Sequence, residues 1–161
     1  MLTRNRPPNQ QGTSHGGVAV LFDENKCSFS ELKMRNPEDF EVLVCSGRLV
    51  GFPRPVVIIG CYLPPGYTVP RASGALEYVR GVVTEMKRKY ADPFLVVAGD
   101  FNQWQVDEAL VDFRDLVEAG VGPTRGTRSI DRLFTNLPMT AAGTVAPLEP
   151  DLPDDGAPSD H

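Results

Sequence analysis

Apolar runs separated by polar or glycine- and proline-rich segments predict five strands in this chain. The runs at 56–62 and 94–98 are almost unbroken and rich in β-branched residues, as is typical of central strands buried on both faces. Shorter apolar runs predict further strands at 18–22, 41–45 and 130–134. We therefore expect a sheet with at least two central strands.

Apolar residues between 73 and 90 recur every three or four positions, which predicts an amphipathic helix. Ser73 is the expected N-cap, and Pro93 prevents the helix from continuing. A second, shorter helix ending at Gly120 is predicted by the spacing of Leu110, Phe113, Leu116 and Val117. Strands that alternate with helices predict a layered α/β fold, in which sheets are covered by helices.

Length and composition indicate one domain with a hydrophobic core. The chain has 161 residues, of which 41% are hydrophobic and 23% charged. Residues 1–15 are polar and are predicted to be a flexible arm, whereas 16–161 form the domain and include a proline-rich loop at 138–158. The sequence has no membrane-span or secretory-signal pattern, so we expect a soluble protein that does not bind a membrane.

The net charge of −5 argues against loose nucleic-acid binding through a broad basic face. It does not exclude a nucleic-acid substrate, because divalent cations can offset a cluster of acids. The arginines gather near the N-terminus and again late in the chain, and the alternative interpretation is an ordinary solvated surface: they are Arg4, Arg6, Arg125, Arg128 and Arg132.

The three cysteines are too few and too widely spaced for a disulfide framework or a zinc site. Cys27, Cys45 and Cys61 lie in or beside apolar runs, so we expect buried structural thiols in a reducing, intracellular compartment. The glycine-rich fingerprints of dinucleotide and P-loop sites are absent from the sequence, which removes the residues that those two functions require.

Asp100 and Asn102 follow the second central strand, where a sheet gives way to loops. Residues two apart in extended chain face the same way, so both side chains are expected to point out of the sheet end while Phe101 turns into the core. A carboxylate can bind a metal or accept a proton from water, and an amide can hold a phosphate oxygen. The alternative interpretation is an Asx turn that merely caps the strand.

Asp131 lies in an apolar strand, between Ile130 and Leu133, and needs a cationic or hydrogen-bonding partner there. Histidine is one candidate, because a carboxylate fixes the tautomer of an imidazole that it contacts. The sequence has only two histidines, His15 in the arm and His161. The alternative is a structural salt bridge with Arg128 or Arg132.

Several ordered motifs resemble the endonuclease/exonuclease/phosphatase superfamily. They are G-G-V-A-V-L-F at 16–22, C-Y-L-P-P at 61–65, V-V-A-G-D-F-N at 96–102, S-I-D-R-L-F-T-N at 129–136 and S-D-H at 159–161. The segment P-T-R-G at 123–126 is similar to the endonuclease domains of non-LTR retrotransposons. The resemblance implies a layered α/β sandwich of two β-sheets flanked by helices.

The resemblance also implies a role for each matching residue in metal-dependent phosphodiester hydrolysis. Asp100 would activate the attacking water, while Asn102 and Tyr62 would contact the scissile phosphate. Asp131 would orient His161, which would contact the phosphate and stabilise the transition state. Asp160 would belong to a Mg²⁺ or Mn²⁺ site, since these hard cations prefer oxygen ligands.

Both ends of the chain depart from the family pattern. The family places a metal-binding glutamate ahead of the segment matching 16–22, yet residues 1–15 contain no acid, and Glu24 and Glu31 come too late. The family strand that follows S-D-H has no counterpart after His161. Residues 16–161 are therefore expected to be an incomplete copy of the domain, marginally stable and with weak or no activity.

Two other functions fit the same residues. A phosphomonoesterase acting on lipid or sugar phosphates would use the same catalytic groups, and a non-catalytic remnant or interaction module would fit the apparent truncation. The retroelement resemblance implies a DNA substrate, a reverse transcriptase domain in the full-length protein and a nuclear location.

Overall fold

A computed structural model describes residues 1–5, 17–34, 41–117 and 130–137 of the chain. The described part contains one long helix, α1, a 3-10 turn at Asp107–Ala109 and eight strands. In chain order they are β1 (Leu2–Asn5), β2 (Gly17–Val20), β3 (Cys27–Glu31), β4 (Glu41–Leu49), β5 (Val56–Tyr62), α1 (Val69–Lys89), β6 (Phe94–Asp100), β7 (Arg114–Asp115) and β8 (Asp131–Thr135).

Six strands form one mixed sheet in the order β3-β4-β5-β6-β8-β7. Its only parallel pair among the described strands is β5 with β6, and α1 connects these two strands. Both apolar runs that favoured central strands do lie at the centre of the sheet. Together with a second, two-stranded sheet of β1 and β2, this confirms the predicted layered α/β sandwich in the described part of the chain.

Alternate residues of the central strands face α1 and form the core. Val57, Ile59 and Cys61 of β5 and Leu95 and Val97 of β6 are at most 2% exposed. They meet the buried face of α1, which consists of Ala72, Ala75, Val79, Val82, Val83 and Met86. Burial of this apolar surface is the main force that holds the helix against the sheet.

The helix begins five residues earlier than the sequence analysis predicted. Thr68 is the N-cap, so Ser73 lies inside the helix and its predicted capping role is wrong. Pro70 occupies the first turn, where a missing amide hydrogen costs nothing, and a proline there starts a helix rather than ending one. The helix ends at Lys89, ahead of Pro93 as predicted.

The second sheet packs on the face of the main sheet opposite α1. β1 pairs with β2 in antiparallel register, so residues 2–5 are strand rather than the flexible arm that their polar composition favoured. β2 approaches so closely that a Cβ atom added at Gly60 would lie 2.6 Å from Val18 Cγ1. Residues 6–16 of the predicted arm lie outside the described residues.

Two further local predictions differ from the structure. The edge strand β3 was not predicted, because its sequence C-S-F-S-E has only one large apolar residue. The helix expected from Leu110 is replaced over 107–115 by the 3-10 turn and β7, and helical backbone begins only at residue 116. Gly120 and the loop at 138–158 lie outside the described residues.

The cysteines are free thiols, as predicted, and two of them are buried. Burial raises the pKa of Cys45 to about 11 and that of Cys61 to about 12, so both are neutral and unreactive near pH 7. Cys27 is half-buried, and its thiol donates to the Asp23 carbonyl at 3.2 Å. In the described part of the chain, no helix is long and apolar enough to cross a membrane.

Candidate active site

Three of the predicted site residues lie side by side where three neighbouring strands of the main sheet begin or end. Tyr62 at the end of β5 is in register with Asp100 at the end of β6, which is directly opposite Asp131 at the start of β8. Residues that are paired across strands share a face. All three residues therefore lie on the sheet face opposite α1, on neighbouring strands that are about 4.8 Å apart.

A fourth ionisable residue, Glu41, continues this row and was missed in the sequence analysis. It is the first residue of β4, is directly opposite Tyr62, and is only 4% exposed. A carboxylate is buried to this extent only where the surrounding groups compensate for its lost hydration. The sequence signal was an acid at the head of the apolar run E-V-L-V-C, which we interpreted only as a strand.

The backbone turns sharply after Asp100. Asp100 Oδ1 accepts a hydrogen bond of 2.9 Å from the Asn102 amide nitrogen, and Asn102 adopts a left-handed backbone conformation with φ of 50°. This is the Asx turn considered as the alternative interpretation, and asparagine tolerates its geometry well. The strand ends at Asp100, so the alternation that predicted the direction of Asn102 does not extend to it.

The loop after β6 is bound to the loop after β5 by three consecutive side chains. Asn102 Nδ2 donates to the Leu63 carbonyl at 3.0 Å, and Gln103 Nε2 donates to the Pro65 carbonyl at 2.6 Å. Trp104 Nε1 donates to the Pro64 carbonyl at 3.1 Å. These bonds fix the ends of the two central strands relative to each other, so Asn102 has a structural contact in addition to its expected phosphate contact.

Phe101 turns into the core between these polar residues, as predicted, and is 1% exposed. Its amide nitrogen donates to the Ile130 carbonyl at 2.8 Å, and its ring meets Phe134 edge-on at 6.2 Å between centroids. The position of the turn is therefore set by main-chain and aromatic contacts with the segment that carries Asp131.

Arg132, one of the two arginines considered as a partner for Asp131, lies on the opposite face of β8. Its guanidinium binds Asp107 and Asp115. The other residues of the site, Asp160 and His161, lie outside the described residues, as do His15, Arg125 and Arg128. Their predicted roles stay predictions.

Asp100 and Asp131 supply carboxylate oxygens, which are the donors that Mg²⁺ and Mn²⁺ prefer. The described residues nevertheless contain no group of three or more histidine, cysteine, aspartate or glutamate side chains placed to hold a metal ion. The donor chemistry fits such a cation, but the described residues alone do not make up its binding site.

Solved structures with a similar fold cover most of this chain. A protein of unknown function from Enterococcus faecalis V583 is 17% identical with a TM-score of 0.53, over 83% of this chain and 63% of its own. Humanised Danio rerio TDP2 is 17% identical with a TM-score of 0.52, over 73% and 55%. The human Nocturnin catalytic domain, solved with a sulfate anion, is 12% identical with a TM-score of 0.51, over 71% and 50%.

At these identities the similarity shows the fold alone, and the chain spans roughly half to two thirds of these proteins. No curated protein matches the chain. A sequence model of the Endonuclease/Exonuclease/phosphatase family matches residues 3–161, nearly the whole length. The chain therefore belongs to the Endonuclease/Exonuclease/phosphatase family, whose members hydrolyse phosphodiesters or phosphate esters.

Proposed function

We propose that this chain carries the site of a metal-dependent DNA endonuclease of the retroelement type, which hydrolyses a phosphodiester by direct attack of water. The observation that carries the proposal is the row of Tyr62, Asp100 and Asp131 on three neighbouring strands. The strands bring these residues together although they are 31 to 69 positions apart in sequence. An Asx turn at Asp100 or a salt bridge at Asp131 would account for one residue at a time. A shared catalytic site accounts for their being neighbours.

Asp100 is the proposed proton acceptor. Its Oδ1 is held by the Asn102 amide, so the carboxylate has a fixed orientation at the end of a central strand. A positioned general base of this kind contributes about 10²–10⁴-fold to a hydrolysis rate. Attack by water on phosphorus then needs no covalent intermediate with the enzyme.

Tyr62 and Asn102 are the proposed contacts of the scissile phosphate. Asn102 is held beside Leu63 by its amide group, and Tyr62 precedes that same residue at the end of β5. Asp131 is the proposed partner of His161, whose imidazole would donate to the phosphate as charge develops. Mg²⁺ or Mn²⁺, held with the help of Asp160, would neutralise phosphate charge and favour attack.

The DNA substrate and the retroelement type are supported by the order of the family motifs and by the P-T-R-G segment at 123–126. A reverse transcriptase domain in the full-length protein and a nuclear location follow from the same proposal.

Nicking of supercoiled plasmid DNA tests the proposal. We expect weak cutting with Mg²⁺ or Mn²⁺ that EDTA abolishes and that Asp100→Ala lowers by at least about 10²-fold. Robust EDTA-sensitive cutting by the wild type would overturn the expectation of weak or no activity. Asp112→Ala is the matched control, because Asp112 is 78% exposed and its one described ion pair, with Lys87, is on the surface. Its cutting rate should equal that of the wild type.

Other outcomes would contradict specific parts of the proposal. Cutting that persists in Asp100→Ala would remove the site assignment. Release of phosphate from small phosphomonoesters without DNA cutting would indicate a phosphomonoesterase instead. No hydrolysis of either substrate, together with no Mn²⁺ binding in calorimetry, would indicate a non-catalytic remnant or interaction module.

A further inference from the structure

Arg132 forms a partly buried ionic contact beneath the candidate active site. It follows Asp131 in β8 and is in register with Gly99 of β6, so it leaves the sheet on the α1 side. Its Nη2 donates to Asp107 Oδ1 at 2.7 Å and its Nε donates to Asp115 Oδ2. The side chains of Arg132 and Asp115 are only 12% and 8% exposed, whereas Asp107 is 59% exposed.

Both acids that Arg132 binds belong to the segment 101–117, which follows Asp100 and carries Asn102. Arg132 thereby connects this segment to the strand that carries Asp131. The guanidinium also lies 5.0 Å from the centre of the Phe134 ring, and Phe134 packs on Phe101. The ionic and aromatic contacts therefore connect Asp107 and Asp115 with Phe101, the residue between Asp100 and Asn102.

The contact differs from an ordinary surface ion pair. Burial lowers the pKa of Arg132, but the hydrogen bond and charge of Asp115, aided by Asp107, more than offset this, so the pKa is raised overall. The planar guanidinium can bind two acids in fixed directions, which a lysine cannot do. Removal of one partner would leave a poorly hydrated charge behind.

We propose that Arg132 is a positioning residue of this site: by binding Asp107 and Asp115 it fixes Asn102 relative to Asp131. The proposal rests on the proposed hydrolase function for its catalytic consequence, whereas the structural consequence can be measured without any activity.

The chain offers a matched control at the other end of β6. Arg54 pairs with Asp92 and lies 4.9 Å from the centre of the Phe94 ring, so it also combines an ion pair with a ring contact, but at a more exposed position far from the row of site residues. We compare Arg132→Met with Arg54→Met, and add Arg132→Lys and Asp107→Ala as milder variants in case Arg132→Met does not fold.

Amide hydrogen exchange is the first measurement. We expect Arg132→Met to raise the exchange rate of the Phe101 and Asn102 amides by about tenfold relative to the Val97 amide of the same protein. Arg54→Met should leave this ratio unchanged, and Arg132→Lys should give an intermediate value. The internal reference separates local loosening of the turn from a general loss of stability.

Steady-state cutting kinetics are the second measurement. We expect Arg132→Met to lower kcat by about 10²-fold with KM within about threefold, because misplaced catalytic groups slow the chemistry more than binding. Arg54→Met should change neither constant.

The outcomes separate this proposal from the proposed function. An unchanged exchange ratio in Arg132→Met and Arg132→Lys would overturn the positioning role. A raised ratio with an unchanged kcat would also overturn it. If the wild type cuts nothing, the hydrolase proposal fails, and the exchange ratio alone decides whether Arg132 positions the turn.

Discussion

Replacing Gly99 with alanine should disturb the site through the backbone rather than through a catalytic side chain. Gly99 is in register with Cys61, one residue before Asp100 and Tyr62, and has a φ of 155°. A Cβ atom there would overlap the Cys61 carbonyl oxygen and lie 2.8 Å from its carbonyl carbon. Because the obstacle is backbone, β5 and β6 must move apart where they carry the site.

The expected loss of stability follows from two costs. Overpacking costs about 1–3 kcal/mol, and a side chain at positive φ costs about 1–3 kcal/mol more. For a chain of this size each kcal/mol lowers Tm by about 2–4 °C, so the variant should melt at least about 4 °C below the wild type. Circular dichroism melting measures this change.

Gly81→Ala is the control for the Gly99 experiment. Gly81 lies in α1 with no neighbouring atom within 4 Å of the added Cβ, so alanine should stabilise the helix by about 0.5–1 kcal/mol. Melting of Gly99→Ala at the wild-type temperature, with full cutting activity, would show that the two strands do not approach as closely as described.

Two further predictions concern the loop bonds and the buried thiol. Trp104→Phe keeps an aromatic ring but removes the bond to the Pro64 carbonyl, so urea unfolding should show a loss of about 1 kcal/mol, and no loss would contradict a stabilising bond. Burial raises the pKa of Cys61 from 9.0 to about 12. The stability that its neutral thiol contributes to the folded protein is therefore fully present below pH 9 and is lost between pH 9 and 12, as the thiol of the unfolded chain ionises. The free energy of unfolding of the wild type should therefore fall by about 1.4 kcal/mol per pH unit more than that of Cys61→Ala in this range, and parallel pH curves would contradict it.

Strands that are buried on both faces could be predicted because their sequence leaves few alternatives. The bounds of β5 at 56–62 agree with the apolar run, and β6 extends the predicted strand only by Gly99 and Asp100. Edge strands such as β3 are harder to predict, because one face and one edge meet solvent and no long apolar run is needed.

The neighbourhood of the site was predictable only in part. The ends of neighbouring parallel strands meet at one edge of a sheet, so polar side chains at such ends can be expected to converge, and Tyr62 and Asp100 do so. The partners of Arg132 were not predictable, because Asp107 and Asp115 precede it by 25 and 17 positions and no local pattern connects them. The burial of Glu41 was not predictable for the same reason, because it depends on pairing with β5, which follows later in the chain.

The two faces of the main sheet contribute different residues to the site and its support. Asp131 and Arg132 are adjacent in sequence, but strand alternation sends them to opposite faces, one toward the row of site residues and one toward the α1 core. The row is thus positioned by register within the main sheet and by contacts on its α1 side. β1 and β2 cover the other face, where the close approach of Val18 to Gly60 lies two residues before Tyr62. The register of Tyr62, Asp100 and Asp131 therefore follows from the pairing of β5, β6 and β8 within the main sheet.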